Sequence, residues 1–117
     1  MNTELVTPVY LEDFSDREDV TSNFEDDLDG FKILLAIYST GNYEGDSYVL
    51  AEKDGKLYEN YASHCSCYGL EGMWEPEETS VQAIADRMLN SKTFGVGDCN
   101  GASFRNELTK ILSDIIL

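Results

Sequence analysis

The sequence predicts an α+β domain in which a small antiparallel meander of about three to four strands carries helices packed on one face. Apolar runs of strand length, separated by turn residues, fill residues 31–62. Segments with helical apolar spacing lie before and after this region. A chain of 117 residues has the size of one domain and can bury a core without a metal or a disulfide. We therefore expect a single domain with helices flanking one sheet.

The first 30 residues form an acidic N-terminal segment before the α+β core of residues 31–117. Ten acids and one base, Arg17, give this segment a formal charge of −9, out of −15 for the chain. Residues 1–11 are interrupted by Pro8 and predict an extended arm. The segment therefore carries more than half of the excess negative charge.

The spacing within residues 12–29 predicts a helix. Val20, Phe24 and Leu28 lie four residues apart and mark one apolar face. Gly30 is expected to end this helix as its C′ residue. Two residues are candidate N-caps, Asp13 and Ser15.

Three strands follow. Residues 31–39 are nearly all apolar, which is typical of a central strand covered on both faces. Residues 47–53 and 56–62 are the next two strands. Asp54-Gly55 between them is a strong signal for a type I′ hairpin turn. Together these segments predict the antiparallel meander.

Two amphipathic helices complete the predicted fold. Thr79 and Gln82 resemble a capping box that would begin the first helix. Its apolar stripe consists of Val81, Ile84, Ala85, Met88 and Leu89. Residues 90–101 read as a Gly-containing loop, and Ser103 is a candidate N-cap for a last helix from about Phe104. The apolar face of this last helix consists of Phe104, Leu108, Ile111, Leu112 and Ile115.

The rarest side chains cluster between His64 and Trp74, since the only His, the only Trp and two of three Cys fall there. His64, Cys65, Cys67 and Cys99 together have the ligand types of a Cys₃His zinc site. Neighbouring side chains on an extended strand diverge, so the pair at 64 and 65 argues against that site. A Cys nucleophile with His64 as base is a further alternative. We expect no cofactor and no enzymatic activity, with zinc as the alternative.

The same cluster also has a structural interpretation. Tyr68 and Trp74 would pack over the sheet edge, and Cys65 and Cys67 would serve as small buried hydrophobic residues. Exposed aromatics beside carboxylates also suit protein contacts. Tyr68 and Trp74 are therefore candidate partner-binding residues, including for a homodimer of a self-assembling accessory domain.

Three strings of the sequence resemble a group of small proteins encoded largely by tailed bacteriophages. They are YEGDSYVL at residues 43–50, KDGKLYE at 53–59 and SHCSCYGLEGMWEPEET at 63–79. The resemblance covers about residues 31–90; Met73 stands where that pattern usually has Gln, and Ala62 where it has Gly. It implies a phage origin and brings no catalytic residues.

The acidic charge disfavours direct nucleic-acid binding, because phosphate contacts need Lys and Arg. The acids could simply keep a small protein soluble and monomeric, or they could bind a basic surface of a partner. With a phage origin, the charge favours an inhibitor that occupies the basic surface of a host restriction, CRISPR or other nucleic-acid-handling protein by imitating DNA. No membrane span and no secretory signal are visible, so the host cytoplasm is expected. The candidate partner-binding acids are Asp16, Glu18, Asp19, Glu25, Asp26, Asp27 and Asp29, with Glu75, Glu77 and Glu78 as a second cluster.

Overall fold

A computed structural model describes residues 6–41, 44–65, 69–90 and 102–116. The elements are β1 (Val9–Glu12), α1 (Arg17–Phe24), β2 (Lys32–Gly41), β3 (Glu44–Lys53), β4 (Lys56–His64), β5 (Glu77–Thr79), α2 (Val81–Asn90) and α3 (Ala102–Ile116). The strands form one mixed sheet in the order β1-β2-β3-β4-β5. β1 runs parallel to β2, and the other neighbours are antiparallel. The α+β class and the central meander are confirmed.

The meander is organised around β2, whose residues 33–38 are buried. This burial confirms that the strand is covered on both faces. Asp54 and Gly55 both have positive φ, 53° and 80°, as a type I′ turn requires. The turn closes on the pair Lys53 and Lys56.

The helices cover both faces of the sheet, so the expectation of helices on one face is wrong. Val20 and Phe24 of α1 pack in one buried cluster with Ala36 of β2. Ile84 of α2 and Phe104 of α3 belong to a second cluster on the opposite face. A central strand that is apolar on both faces needs a cover on each, and α1 supplies the second one.

Both sheet edges differ from the sequence prediction. Val9–Glu12, expected within an extended arm, forms β1 beside residues Leu35 to Tyr38 of β2. Glu77–Thr79, expected before a helix, forms the short strand β5 beside β4. Four-residue and three-residue edge strands are too short for an alternating pattern to reveal. The sheet therefore has five strands.

The limits of α1 also differ from the prediction. The Asp16 carboxylate accepts a hydrogen bond from the Asp19 N–H at 2.9 Å, so Asp16 is the N-cap, and neither Asp13 nor Ser15 is. The helix ends at Phe24, and Glu25 caps it in the left-handed region at φ 53°. Leu28 is buried in one cluster with Val20 and Phe24, but it lies beyond the end of the helix.

The other two helices begin at unexpected residues as well. Ser80 caps α2, because its hydroxyl accepts from the Ala83 N–H at 3.1 Å. Thr79 cannot serve as the cap because it pairs with Leu57 in the sheet. α3 begins at Ala102, which places Ser103 inside the first turn. Among the described residues, no helix combines the length and the apolar character needed to cross a membrane.

Candidate functional site

The seven sequence-predicted acids near the N-terminus lie at the N-cap of α1, on the helix and on the loop that follows it. We call this set the α1 surface: Asp16, Glu18, Asp19, Glu25, Asp26, Asp27 and Asp29. Asp19 is half-buried and the other six are exposed. The segment that carries them is held to the sheet by contacts made on its inner side.

Arg17 fastens the loop to the helix. Its guanidinium donates to the carbonyl oxygens of Phe31 at 2.8 Å, of Leu28 at 2.9 Å and of Asp27 at 3.3 Å. All three acceptors are main-chain atoms of the loop between α1 and β2. The single base of the acidic segment therefore fixes backbone and forms no ion pair with the described carboxylates. Sequence reasoning missed this role, although an isolated base among ten acids was a signal.

An aromatic cluster anchors the underside of α1. The Trp74 ring makes edge contacts with Phe24 and Phe31, at centroid distances of 5.6 and 5.4 Å. Phe31 also contacts Tyr58 of β4 at 5.4 Å. Such pairs contribute about 0.5–1.5 kcal/mol each beyond the area they bury. Trp74 is half-buried between these rings, so contacts within the domain account for its position.

Four of the acids also make local hydrogen bonds. Beside the Asp16 cap, the Asp19 carboxylate accepts from the Ser15 hydroxyl and from its N–H, and these bonds lower the Asp19 pKa. Asp26 accepts from the Leu28 N–H at 2.9 Å, and Asp27 accepts from the Asp29 N–H at 3.2 Å. These bonds fix the first turn of α1 and the loop that follows the helix.

The remaining acids of the α1 surface face solvent without such bonds. The side chains of Glu18, Glu25 and Asp29 form no hydrogen bond or ion pair with a described residue. Lys53 lies beside Gly30, at the end of this segment, and its ammonium is 4.9 Å from the centre of the Phe31 ring. The cation is thus held by the aromatic face. The α1 surface keeps a concentrated negative charge.

The second predicted cluster consists of Glu75, Glu77 and Glu78, and the loop before it is attached to α1. The Gly72 N–H donates to the Phe24 carbonyl at 3.3 Å, which joins the loop to the end of α1. The Asn60 side chain donates to the Met73 carbonyl at 3.2 Å and accepts from the Glu75 N–H at 2.6 Å. Asn60 is a buried polar residue that sequence reasoning also missed.

Strand geometry separates the acids of this cluster. Glu77 lies opposite Glu59, and Glu78 lies opposite Tyr58. Successive side chains of a strand point to opposite faces, so Glu77 and Glu78 do not share a face. Glu78 projects on the same face as Tyr58 and α1, whereas Glu77 projects on the face of α2 and α3. The three acids therefore do not form one cluster.

His64 is fully engaged in the structure. Its Nδ1 lies 2.8 Å from the Cys65 carbonyl, and its Nε2 lies 2.6 Å from the Tyr38 hydroxyl. A carbonyl only accepts, so Nδ1 carries a proton, and a neutral imidazole then accepts the hydrogen bond of the Tyr38 hydroxyl at Nε2. In this arrangement neither nitrogen serves as a base toward Cys65, whose side chain is exposed. Burial raises the Tyr38 pKa, with a further contribution from the charge of Asp13.

The zinc and nucleophile alternatives depend partly on residues outside the described ranges. Cys67, Tyr68 and Cys99 lie there, so their predicted roles stay predictions. Within residues 6–41, 44–65, 69–90 and 102–116, no three metal-binding side chains converge.

The chain matches no protein-family model, no curated protein and no solved structure at a significant level. Its function is therefore inferred from its own residues.

Proposed function

We propose that this chain is a non-enzymatic, phage-encoded binding protein whose α1 surface occupies a basic nucleic-acid-binding site of a host protein. A restriction or CRISPR nuclease, or another nucleic-acid-handling protein of the bacterial cytoplasm, is the class of target. The observation that carries the proposal is the set of hydrogen bonds from the Arg17 guanidinium to three loop carbonyls, which we call the Arg17 fork. It fixes the α1–β2 loop and leaves the seven carboxylates without an ion pair to a described base. The phage origin is supported by the strings that resemble proteins of tailed bacteriophages.

Rigid presentation favours this mode of binding. The Phe24–Trp74 and Phe31–Trp74 contacts and the Arg17 fork hold the acids before a partner arrives. Binding then costs less ordering entropy than it would for a disordered acidic tail. A basic groove built for phosphates attracts such a surface over long distances, and this attraction weakens with salt.

The test begins with capture of partners from bacterial lysate at low salt and at about 0.5 M salt, where the screening length is only a few ångströms. We expect recovery of a nucleic-acid-binding protein that salt releases. The purified partner should then lose its nucleic acid when this chain is added. A partner that keeps its nucleic acid bound would contradict the competition.

The decisive variant neutralises three acids of the α1 surface: Glu25→Gln, Asp26→Asn and Asp27→Asn. The Asn side chains keep the oxygens that accept from the Leu28 and Asp29 N–H groups, so the loop is preserved. At about 0.2–1 kcal/mol for each exposed pair, we expect partner binding to weaken about tenfold.

The matched control neutralises three exposed acids elsewhere: Glu44→Gln, Asp86→Asn and Asp114→Asn. Both variants change the net charge by the same amount. Equal weakening in the two variants would mean that only net charge matters, and the α1 surface would lose its assigned role.

A further inference from the structure

The outer edge of β4 extends beyond its partner strand. β4 runs over Lys56–His64, but β5 pairs only with Leu57, Tyr58 and Glu59. The remainder of β4, including Tyr61 and Ser63, has no neighbouring strand on that side among the described residues. This stretch of edge is where a further strand could add to the sheet.

The hairpin register shows which main-chain groups are free. Lys53 and Lys56 close the two-residue turn, so the even-numbered residues of β4 direct their N–H and C=O groups toward β3. The odd-numbered residues direct theirs outward. Those of Leu57 and Glu59 are used by β5.

The next odd-numbered residues are Tyr61 and Ser63. No hydrogen bond between described residues uses their outward N–H and C=O groups. Four main-chain hydrogen-bonding groups therefore form a row about 7 Å long, since a strand rises about 3.3–3.4 Å per residue.

A groove runs along this edge. Two adjoining concavities of about 260 and 210 Å³ share Tyr61, Met73 and Glu75 in their walls. The opposite wall is the loop that the Asn60 side chain holds at Met73 and Glu75. The groove therefore has one wall of free main chain and one wall of fixed loop.

The side chains around the groove favour a cation. Glu59, Glu75 and Glu77 line it, and no Lys or Arg is among the described residues of its lining. Glu59 is paired with Arg87, whereas Glu75 and Glu77 are exposed. The Tyr61 side chain is 62% exposed and offers its ring to a cationic group.

We propose that this groove binds an extended basic segment of a partner protein, which adds as a strand beside Tyr61 and Ser63. Main-chain hydrogen bonds supply affinity, and Lys or Arg side chains of the segment reach Glu75, Glu77 and the Tyr61 ring. A second copy of this chain is disfavoured, because pairing two such edges would bring like charges together. The proposal goes beyond the function proposed above, because no acid of the α1 surface lines the groove.

Amide hydrogen exchange tests the pairing directly. The probe is an acetylated and amidated nine-residue peptide of alternating Arg and Thr. In the free protein the Tyr61 and Ser63 amides should exchange fast, while the Ala62 amide, which faces β3, is protected. Saturating peptide should slow exchange at Tyr61 and Ser63 about tenfold or more and leave Ala62 unchanged.

Two N-methylated peptides separate strand pairing from charge attraction. Each carries methyl groups on alternate amides, in one of the two possible registers, and both keep every Arg. In one register binding should weaken about tenfold, because two main-chain bonds are lost, and in the other by less than about threefold. Equal effects in both registers would reject strand addition.

A protein variant locates the charge. Glu75→Gln with Glu77→Gln should weaken peptide binding about fivefold and lower its salt dependence. The Glu25, Asp26 and Asp27 neutralisation should leave peptide binding unchanged, which keeps this test independent of the α1 surface. The reverse pattern would overturn the proposal. So would a peptide that does not bind, protection of Tyr61 and Ser63 in the free protein, or protection that rises with protein concentration alone.

Discussion

Replacing Arg17 with Ala is expected to destabilise the protein more than the loss of any exposed base. Two of its hydrogen bonds are short, at 2.8 and 2.9 Å, and each joins a charged donor to a main-chain carbonyl. The Leu28 carbonyl keeps a second donor, the Phe31 N–H at 3.0 Å, so its loss is partly compensated. We therefore expect the free energy of unfolding to fall by about 2–3 kcal/mol, or about 30-fold to 150-fold in the folding equilibrium.

Urea unfolding followed by Trp74 fluorescence measures this change, because the indole packs between Phe24 and Phe31 beneath the clamped loop. Arg17→Lys keeps the charge but has no planar fork, so it should recover less than half of the loss. Lys56→Ala removes the same charge at an exposed turn and should cost less than about 0.5 kcal/mol.

Salt separates the two contributions of Arg17. Charge attraction to the neighbouring acids is largely screened at about 1 M salt, whereas hydrogen bonds to carbonyls persist. The deficit of Arg17→Ala should therefore remain at high salt. A deficit that disappears there, or an Arg17→Lys protein as stable as the original, would show that Arg17 acts only by its charge.

Three further predictions concern single residues. Burial and the nearby Glu59 raise the Tyr48 pKa well above its usual value, so stability should be complete below about pH 10 and fall above it. Tyr48→Phe should cost about 1 kcal/mol at neutral pH and flatten this alkaline decline in urea titrations; an unchanged decline would contradict the assignment. Gly45→Ala places a methyl group against His64 Nε2 and 2.9 Å from a Tyr38 ring carbon, and should lower stability by about 1–3 kcal/mol. Adding His64→Ala should restore part of that loss in thermal melts. If the stability losses of the two substitutions simply add, the methyl group at residue 45 does not clash with the His64 ring. The Asp19 pKa lies below its usual value, so its contribution to stability is present above about pH 4 and is lost as the pH falls through the folded-state value. Asp19→Asn should therefore reduce the dependence of stability on pH between about pH 2 and 5. The same dependence in the variant and in the original protein would exclude this role.

The sequence predicted the elements with long, regular patterns. The apolar run of residues 31–39, the Asp54-Gly55 turn and the helix α2 all correspond to observed elements. Leu89 is the exception in the predicted apolar stripe of α2, because it is 84% exposed. A strand that is apolar on both faces must be covered on both faces. The apolar run of residues 31–39 therefore conflicted with the prediction that all helices pack on one face of the sheet. Amphipathic spacing shows that a helix has a buried face, but it does not show which side of the sheet that face meets.

The sequence predicted the charge of the candidate surface but not the contacts that hold it in place. Counting acids identified the α1 surface, because charge density is a property of composition. The Arg17 fork and the Asn60 bridge could not be found in this way, since their partners are main-chain atoms distant in sequence. The separation of Glu77 from Glu78 depends on β5, a strand of three residues without an alternating signature.

The parallel pairing of β1 with β2 has a consequence for synthesis on the ribosome. β1 and α1 are translated before β2, β3 and β4, which contribute residues to the cluster that buries Val20 and Phe24. Until then this segment has no surface to pack on, and its ten acids against one base keep the emerging chain hydrated and apart from other chains. The local β3–β4 hairpin can form as soon as it leaves the exit tunnel, because its turn requires no distant contact. The segment of β1 and α1 is thus translated before β2, but it can pack on the sheet only after β2 has emerged.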